Sequence, residues 1–485
     1  MSATEVTGPR QAKRFGRTVS LVPSEERHPD QAWHLAELGS RCPHPDVTAD
    51  RRADPYYDGQ WDLGATASWS SFALARRQAD GGVVRRTARN SADPVTALRR
   101  FFFGHDRDNR LRMLAAAGLW RTCTAEQAAA MTGVRSLLSQ DMTPAVLAWQ
   151  AGLLDIGQFR GSVGGGIGLR PRATLLRPSR SPAFDDDLTP WLTWPEWVAI
   201  TGGVDWSAAS QYDRHNVLAT ELALRLFEYA DVGTVIGERL CSMNNLAGTG
   251  IGRPHLVNDN RAADLVVVRE DGMRIAVEMT ATIGTSFTHK VRRWAQLLAD
   301  TPLAESGLVV LFLVAESLES RKTDGSYRRN AAAKTIAQAA REFPGRAGDR
   351  VAERMMVASW REWFPDRHLL HPMFLEMSAL APSGPPSALW QRVRLLGERR
   401  LALQPWHPDR LTAILDNAER LAGIPDWFRD PSQGVPIWPL LLSNIGRNSI
   451  PVPPPRPGRT IKDHPLGAAQ GNAGPIGIPR RLRGL

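Results

Sequence analysis

Asp264 and Glu278 are the residues best placed to do chemistry together. Thirteen residues lie between them in ADLVVVREDGMRIAVEMTAT (263–282). Two carboxylates brought side by side make a hard oxygen site suited to Mg²⁺ or Mn²⁺. Such an ion lowers the pKa of bound water and neutralises charge that develops on a phosphate. Lys290, one of only five lysines in the chain, is near enough in sequence to swing into the same space. Glu221, on an earlier segment, could add an oxygen ligand or hold a metal-bound water. The expected catalytic set is therefore Asp264, Glu278 and Lys290, and the expected metal set is Asp264, Glu278 and Glu221. The plain alternative is an Asp capping the start of a strand and a Glu on an exposed strand face.

The elements that must position these residues are legible around them. Leu265 to Val268 are apolar and mostly β-branched, which reads as a strand, and Ile275, Val277 and Met279 alternate with polar neighbours in a returning strand. Asp271-Gly272 between them is a strong hairpin signal, predicting a two-residue turn with Gly272 at positive φ. HKVRRWAQLLAD (289–300) reads as a helix and GLVVLFLVA (307–315) as a fully buried strand. YDRHNVLATELALRLFEYA (212–230) is an amphipathic helix placed before them. Two antiparallel strands, a helix and a buried strand form the layout of a restriction-endonuclease-like α/β core. That layout usually carries a lysine two residues after the second acid, and here the position is Thr280.

A second pattern lies upstream. RLRMLAAAGLW (110–120) presents an apolar helical face. Thr124 with Gln127 three positions on makes a capping box, and Gly133 ends that helix. TPAVLAWQAGLL (143–154) begins with Thr143 as a cap and Pro144 at the first helical position, where no donor is lost. This is a helix-turn-helix order. The following RGSVGGGIGLRPRATLLRP would be a wing, with Arg160, Arg170 and Arg172 neutralising phosphates. GGGIG lacks a following Lys-Ser/Thr and is no Walker A loop.

The charge is uneven. The chain has 485 residues and a net charge of +10, yet residues 184–320 carry 10 basic against 19 acidic residues, while 111–183 carry 8 against 3. An acidic, cation-binding core set between basic, DNA-attracting parts would look like this. The reading divides the chain into a largely disordered, irregular basic arm (1–105), a winged-helix domain (106–183), a restriction-endonuclease-like core (184–320), a helical extension (321–449) and a Pro-rich basic tail (450–485). Overall this is an α/β (α+β) protein. Three dispersed cysteines exclude a disulfide framework and a CxxC zinc site. No apolar run is long enough to insert in a membrane, and no secretory leader opens the chain, so a cytoplasmic protein is expected. The Trp run PWLTWPEW (190–197) and the pair His368/His371 read as structural.

RHNVLATELALRLFE, RAADLVVV, RIAVEMTAT, HKVRRWAQLL and GLVVLFLV together resemble the replication-relaxation family of mobile-element proteins, over about residues 106–316. The matched positions are His215 with Asn216, Asp264, Glu278 and Lys290. The chain departs from that family at Thr280, often acidic there, and at Trp294, where a tyrosine is usual. The resemblance implies a winged helix fused to a restriction-endonuclease-like core. It also implies a DNA-binding protein acting in replication or conjugative transfer of a plasmid or integrative element. Double-stranded DNA is the expected partner, with other transfer or replication proteins beside it. The core would be either a scaffold or a Mg²⁺- or Mn²⁺-dependent nuclease or nickase. A transcription regulator using the winged helix alone is the remaining alternative.

Overall fold

The computed structural model describes residues 11–14, 17–20 and most of 31–428, apart from 63, 105, 160–170, 205, 208–211, 244–245, 247–261, 319–324, 383–389, 403–417 and 419–420. Arg160, Arg170 and the tail 450–485 lie outside the described residues.

Among the elements that position the site, the first are β1 (Ala67–Ser70), α1 (Phe72–Asp80) and α2 (Pro94–Phe103). There follow α3 (Arg107–Trp120), β2 (Cys123–Thr124), α4 (Ala125–Thr132), α5 (Thr143–Gln150), β3 (Leu154–Phe159) and β4 (Thr174–Pro178). The four strands form one antiparallel sheet in the order β1-β3-β4-β2. The expected capping box starts α4: the Gln127 N–H donates to Thr124 Oγ1 at 3.1 Å, and Gln127 Oε1 accepts from the Thr124 N–H at 3.0 Å. Gly133 closes the helix at φ +70°. Helix α5 begins one residue earlier than expected, with Met142 rather than Thr143 as its N-cap.

The second sheet follows α6 (Trp194–Thr201) and α7 (Asp213–Tyr229). It comprises β5 (Thr234–Gly237), β6 (Leu265–Val268) and β7 (Arg274–Thr280), then, after α8 (Thr285–Asp300), β8 (Leu308–Val314). After α9 (Gly325–Glu342) come β9 (Met355–Ser359), β10 (Ser378–Pro382) and β11 (Trp390–Arg394). The order is β11-β10-β9-β8-β7-β6-β5. Strands β5, β6 and β7 are antiparallel neighbours, while β7, β8 and β9 run parallel. All seven residues of β8 are buried, as expected for a parallel strand with both faces covered.

The β6–β7 hairpin is present, but its turn is longer than two residues. The Gly272 N–H donates to the Arg269 carbonyl at 3.0 Å, and the Arg269 N–H to the Met273 carbonyl at 2.9 Å. Gly272, at φ +85°, is therefore the last residue of a four-residue turn (269–272) and the left-handed residue of a bulge.

Two expected segments differ from the structure. Residues 345–394 are not a helical extension: they supply β9, β10 and β11, which widen the central sheet. Within the supposed irregular arm, the part from residue 31 to 103 is ordered and packed. Tyr56 and Trp61 are buried, and the Trp61 Nε1–H donates to the Ala315 carbonyl at 2.7 Å. Nor is this part simply basic: Arg52, 1% exposed, pairs with Glu221 at 3.0 Å and Glu228 at 2.6 Å. Isolated aromatics and buried ion pairs leave no periodic apolar pattern, which is why the segment reads as loop. No helix among the described residues is long and apolar enough to cross a membrane.

Candidate active site

The hairpin sets the two carboxylates. Asp264 directly precedes β6. Its N–H donates to the Val277 carbonyl at 3.0 Å, and its Oδ2 accepts from the Met279 N–H at 2.6 Å. Among the described residues, Oδ1 has no hydrogen-bond partner. Glu278 lies in β7, buried at 3% exposure. Its Oε2 accepts from Lys290 Nζ at 2.6 Å and its Oε1 from Trp294 Nε1 at 2.7 Å. Lys290 and Trp294 are four residues apart on α8, so they share one face of the helix. The helix thus supplies the ammonium that the strand lacks at Thr280, whose hydroxyl donates to the Thr282 carbonyl at 2.7 Å.

These residues line a cavity of about 460 Å³ at the carboxyl end of β7, together with Tyr212, Arg214, His215, Glu238 and Arg293. Burial pushes the carboxyls of Asp264 and Glu278 upward, and the Lys290 charge opposes it for both. Glu238 is pushed up to about 7, first by burial and then by the charges of Asp264 and Glu278, with Arg121 opposing. Burial, with the positive charges of Lys290 and Arg214, lowers His215 to about 3, so its imidazole is neutral. Three acids on one cavity repel unless a cation lies among them. The Lys290 ammonium supplies one such cation; Asp264 and Glu278 are the oxygen donors that could hold a hard divalent ion, which would keep several waters. Among the described residues, no group of three His, Cys, Asp or Glu converges on one ligand position.

Of the four residues expected to meet, Asp264, Glu278 and Lys290 do and Glu221 does not. Glu221 is fully buried, held by Arg52 at 3.0 Å and Arg225 at 3.1 Å. The reason is helical geometry. His215 lines the cavity, and six residues further along α7 is a rotation of about 240°, which turns Glu221 to another side. Glu238 is the acid that the sequence reading missed. It follows β5 without any motif, and only its place beyond a strand end in the acidic segment could have marked it.

Arg172 is largely exposed but not free: its Nε lies 3.2 Å from Glu126 Oε1, and its Nη2 donates to the Arg51 carbonyl at 3.0 Å. Helix α5, third in the helix-turn-helix order, is covered. Pro144 to Gln150 are all buried. The Trp149 Nε1–H donates to the Ser70 carbonyl, and the Gln150 side chain to the Arg89 carbonyl, each at 2.9 Å. His371 is structural, accepting the Met373 N–H at a helix start.

Comparison of the chain with protein-family models, with curated proteins and with solved structures finds no match.

Proposed function

We propose that this chain is a DNA-binding protein of a plasmid or integrative element. In this reading a winged-helix unit (α3 to β4) is joined to a restriction-endonuclease-like core that cleaves phosphodiesters with Mg²⁺ or Mn²⁺. The observation that carries it is the Lys290 ammonium at 2.6 Å from Glu278, with Asp264 in the same cavity. A helix, three antiparallel strands, a helix and a parallel strand (α7, β5–β7, α8, β8) frame them. The helix–strand–helix–helix–strand–strand order of the upstream unit, with β2 paired to β4, supports the winged-helix part.

Asp264 and Glu278 would hold the ion, which when bound supplies a more acidic water and charge neutralisation at the phosphate. Lys290 orients the attacking water and offsets the developing negative charge. Trp294 fixes the Glu278 carboxylate through its indole N–H. His215, neutral, leaves the positive charge at the site to Lys290 and the arginines. The basic parts outside 184–320 deliver DNA to an acidic core.

A scaffold without catalysis is the second reading. Both Glu278 oxygens already accept a hydrogen bond, and that observation favours it. The burial of α5 counts against DNA reading by that helix in either reading, and so disfavours a regulator that relies on it alone. The deciding experiment is nicking of supercoiled DNA with Mg²⁺ or Mn²⁺ by wild type, Asp264→Ala and Glu278→Ala. Loss of nicking in both variants supports catalysis. Equal nicking in all three removes these residues from the chemistry, and no nicking with any metal favours the scaffold.

A further inference from the structure

The cavity has an acidic floor and a different rim. At its lip stands Tyr212, 64% exposed, an unusual place for a large ring. It lies edge-on to His215 with ring centroids 6.0 Å apart. Two residues on, Arg214 is held in place rather than left loose: its Nη1 donates to the Asp62 carbonyl at 3.1 Å, and its guanidinium lies 5.2 Å from the Trp61 ring centre. Across the cavity Arg293 lines the wall and is exposed. Beyond it, the Arg328 Nη1–H donates at 2.7 Å to the carbonyl of Ala281, another wall residue. Tyr327, beside Arg328 in the chain, is 68% exposed.

Resting on the nuclease-like reading of the same cavity, we propose that its substrate is single-stranded or locally opened DNA rather than intact duplex. Tyr212, seconded by Tyr327, stacks bases, and Arg214, Arg293 and Arg328 hold the flanking phosphates. Three observations carry this. An exposed ring offers a duplex backbone little, but it gives an unpaired base a stacking face, and arginines interleaved with aromatics are how single strands are tracked. Glu278 lies at the bottom of the cavity, 4% exposed at its side chain. A phosphodiester reaches that floor only on a strand that bends inward, and 460 Å³ has room for an extruded nucleotide but not for the width of a duplex. Finally, the segment carries 10 basic against 19 acidic residues. Duplex DNA presents a phosphate about every 1.7 Å of axis against about 3.4 Å for one strand, so the acidic core repels duplex more.

The test uses the full chain with Ca²⁺ in place of Mg²⁺. Fluorescence anisotropy follows a labelled oligo-dT strand and the same strand annealed to oligo-dA. Oligo-dT is expected to bind more tightly. Tyr212→Ala should weaken oligo-dT binding by roughly 5- to 150-fold, the range for loss of one base stack, and leave duplex binding unchanged. Tyr212→Phe, which keeps the ring, should bind like wild type. Arg293→Ala should reduce the salt slope for oligo-dT by about 0.7, one phosphate's worth. Tyr212→Ala binding oligo-dT like wild type, or losing duplex affinity equally, overturns the proposal. Nicking assayed on the same preparations separates the two readings. Tyr212-dependent strand binding without nicking supports this proposal and removes only catalysis. Nicking with Tyr212-independent binding removes only this proposal. Because Tyr212 is exposed, unchanged thermal midpoints of the variants show that binding, not folding, is being read.

Discussion

Lys290→Met is the substitution that the site geometry makes most informative. It keeps the length of the side chain and removes the ammonium. The pair with Glu278, at 2.6 Å, has a gross Coulomb energy of about 6 kcal/mol at an effective dielectric constant of about 20. Lys290 is 34% exposed, and both groups lose hydration to form the pair, so the net cost of deletion is nearer 1–3 kcal/mol. The cost depends on pH. Burial already raises the carboxyls of Glu278 and Asp264, so the folded protein binds their protons more tightly than the unfolded chain does. Stability contributed by these groups is therefore present at low pH and lost as pH rises above their unfolded values of about 4. Removing Lys290 removes what opposes that shift, so Lys290→Met should lose more stability near neutral pH than in acid. Urea denaturation at both pH values measures this, and added Mg²⁺ should recover part of the loss by replacing one cation with another.

The same variant separates a catalytic from an architectural lysine. If Lys290 stands in for the absent strand lysine, Lys290→Met should lower nicking by about 10²–10³, the usual effect of deleting one preorganised donor at a developing charge. The double variant Lys290→Met/Thr280→Lys should recover much of that loss, because position 280 is on the cavity wall. Wild-type stability at every pH together with wild-type nicking in Lys290→Met would refute the reasoning. A stability loss with unchanged nicking would leave the lysine as a counter-ion only.

Glu221→Gln should cost about 3–5 kcal/mol of folding stability, since it leaves Arg52 and Arg225 short of a buried partner. Isothermal titration should show Mg²⁺ affinity unchanged, and a lost metal site would return Glu221 to the ligand set. Gly272→Val should cost on the order of 1–3 kcal/mol in thermal denaturation, because φ is +85° there and a β-branched residue is strained at positive φ; a neutral effect would mean that the turn rearranges freely. Mg²⁺ should raise the thermal midpoint more at about pH 8 than at about pH 5, because metal ligands must be deprotonated and Glu238 is pushed up to about 7. Equal shifts at both would argue that the ion does not sit among these acids.

The sequence made the hairpin, the capping box and the meeting of Asp264, Glu278 and Lys290 legible because each has a local cause: a DG turn, a Thr-x-x-Gln spacing, a period-2 pattern. Its failures are equally physical. Arg52 and Asp54 read as an exposed basic arm because nothing local shows that their partners, Glu221, Glu228 and Arg225, lie about 170 residues away on α7. The strands β9 to β11 were hidden because each is only five residues long, too short for a clear period, and only β11, at the sheet edge, is of mixed polarity. Glu238 was invisible because its role depends on where β5 ends, a tertiary fact.

These long-range contacts also decide how the two units relate. A Cβ placed on Gly237, at the end of β5, would lie 2.5 Å from the Leu119 carbonyl in α3. The sheet of the core therefore meets the first helix of the upstream unit backbone to backbone, an approach only glycine permits. One turn back along α3, a Cβ on Gly423 would lie 2.8 Å from the Ala115 carbonyl, and Trp427, three residues after Ile424, donates its indole N–H to the Ala130 carbonyl at 3.0 Å. Thr122 and Trp69 both donate to Asp213 at the start of α7, each at 2.9 Å. Residues from α3, α4, α7, β5 and 418–428 belong to one continuous apolar cluster. A fragment such as 100–180 would expose the faces that α7, Gly237 and Trp427 cover, so it is not an autonomous domain. The upstream unit and the Asp264/Glu278 cavity are parts of one core. On the proposed reading, a strand held by one would be presented to the other at a fixed distance, without a linker to search.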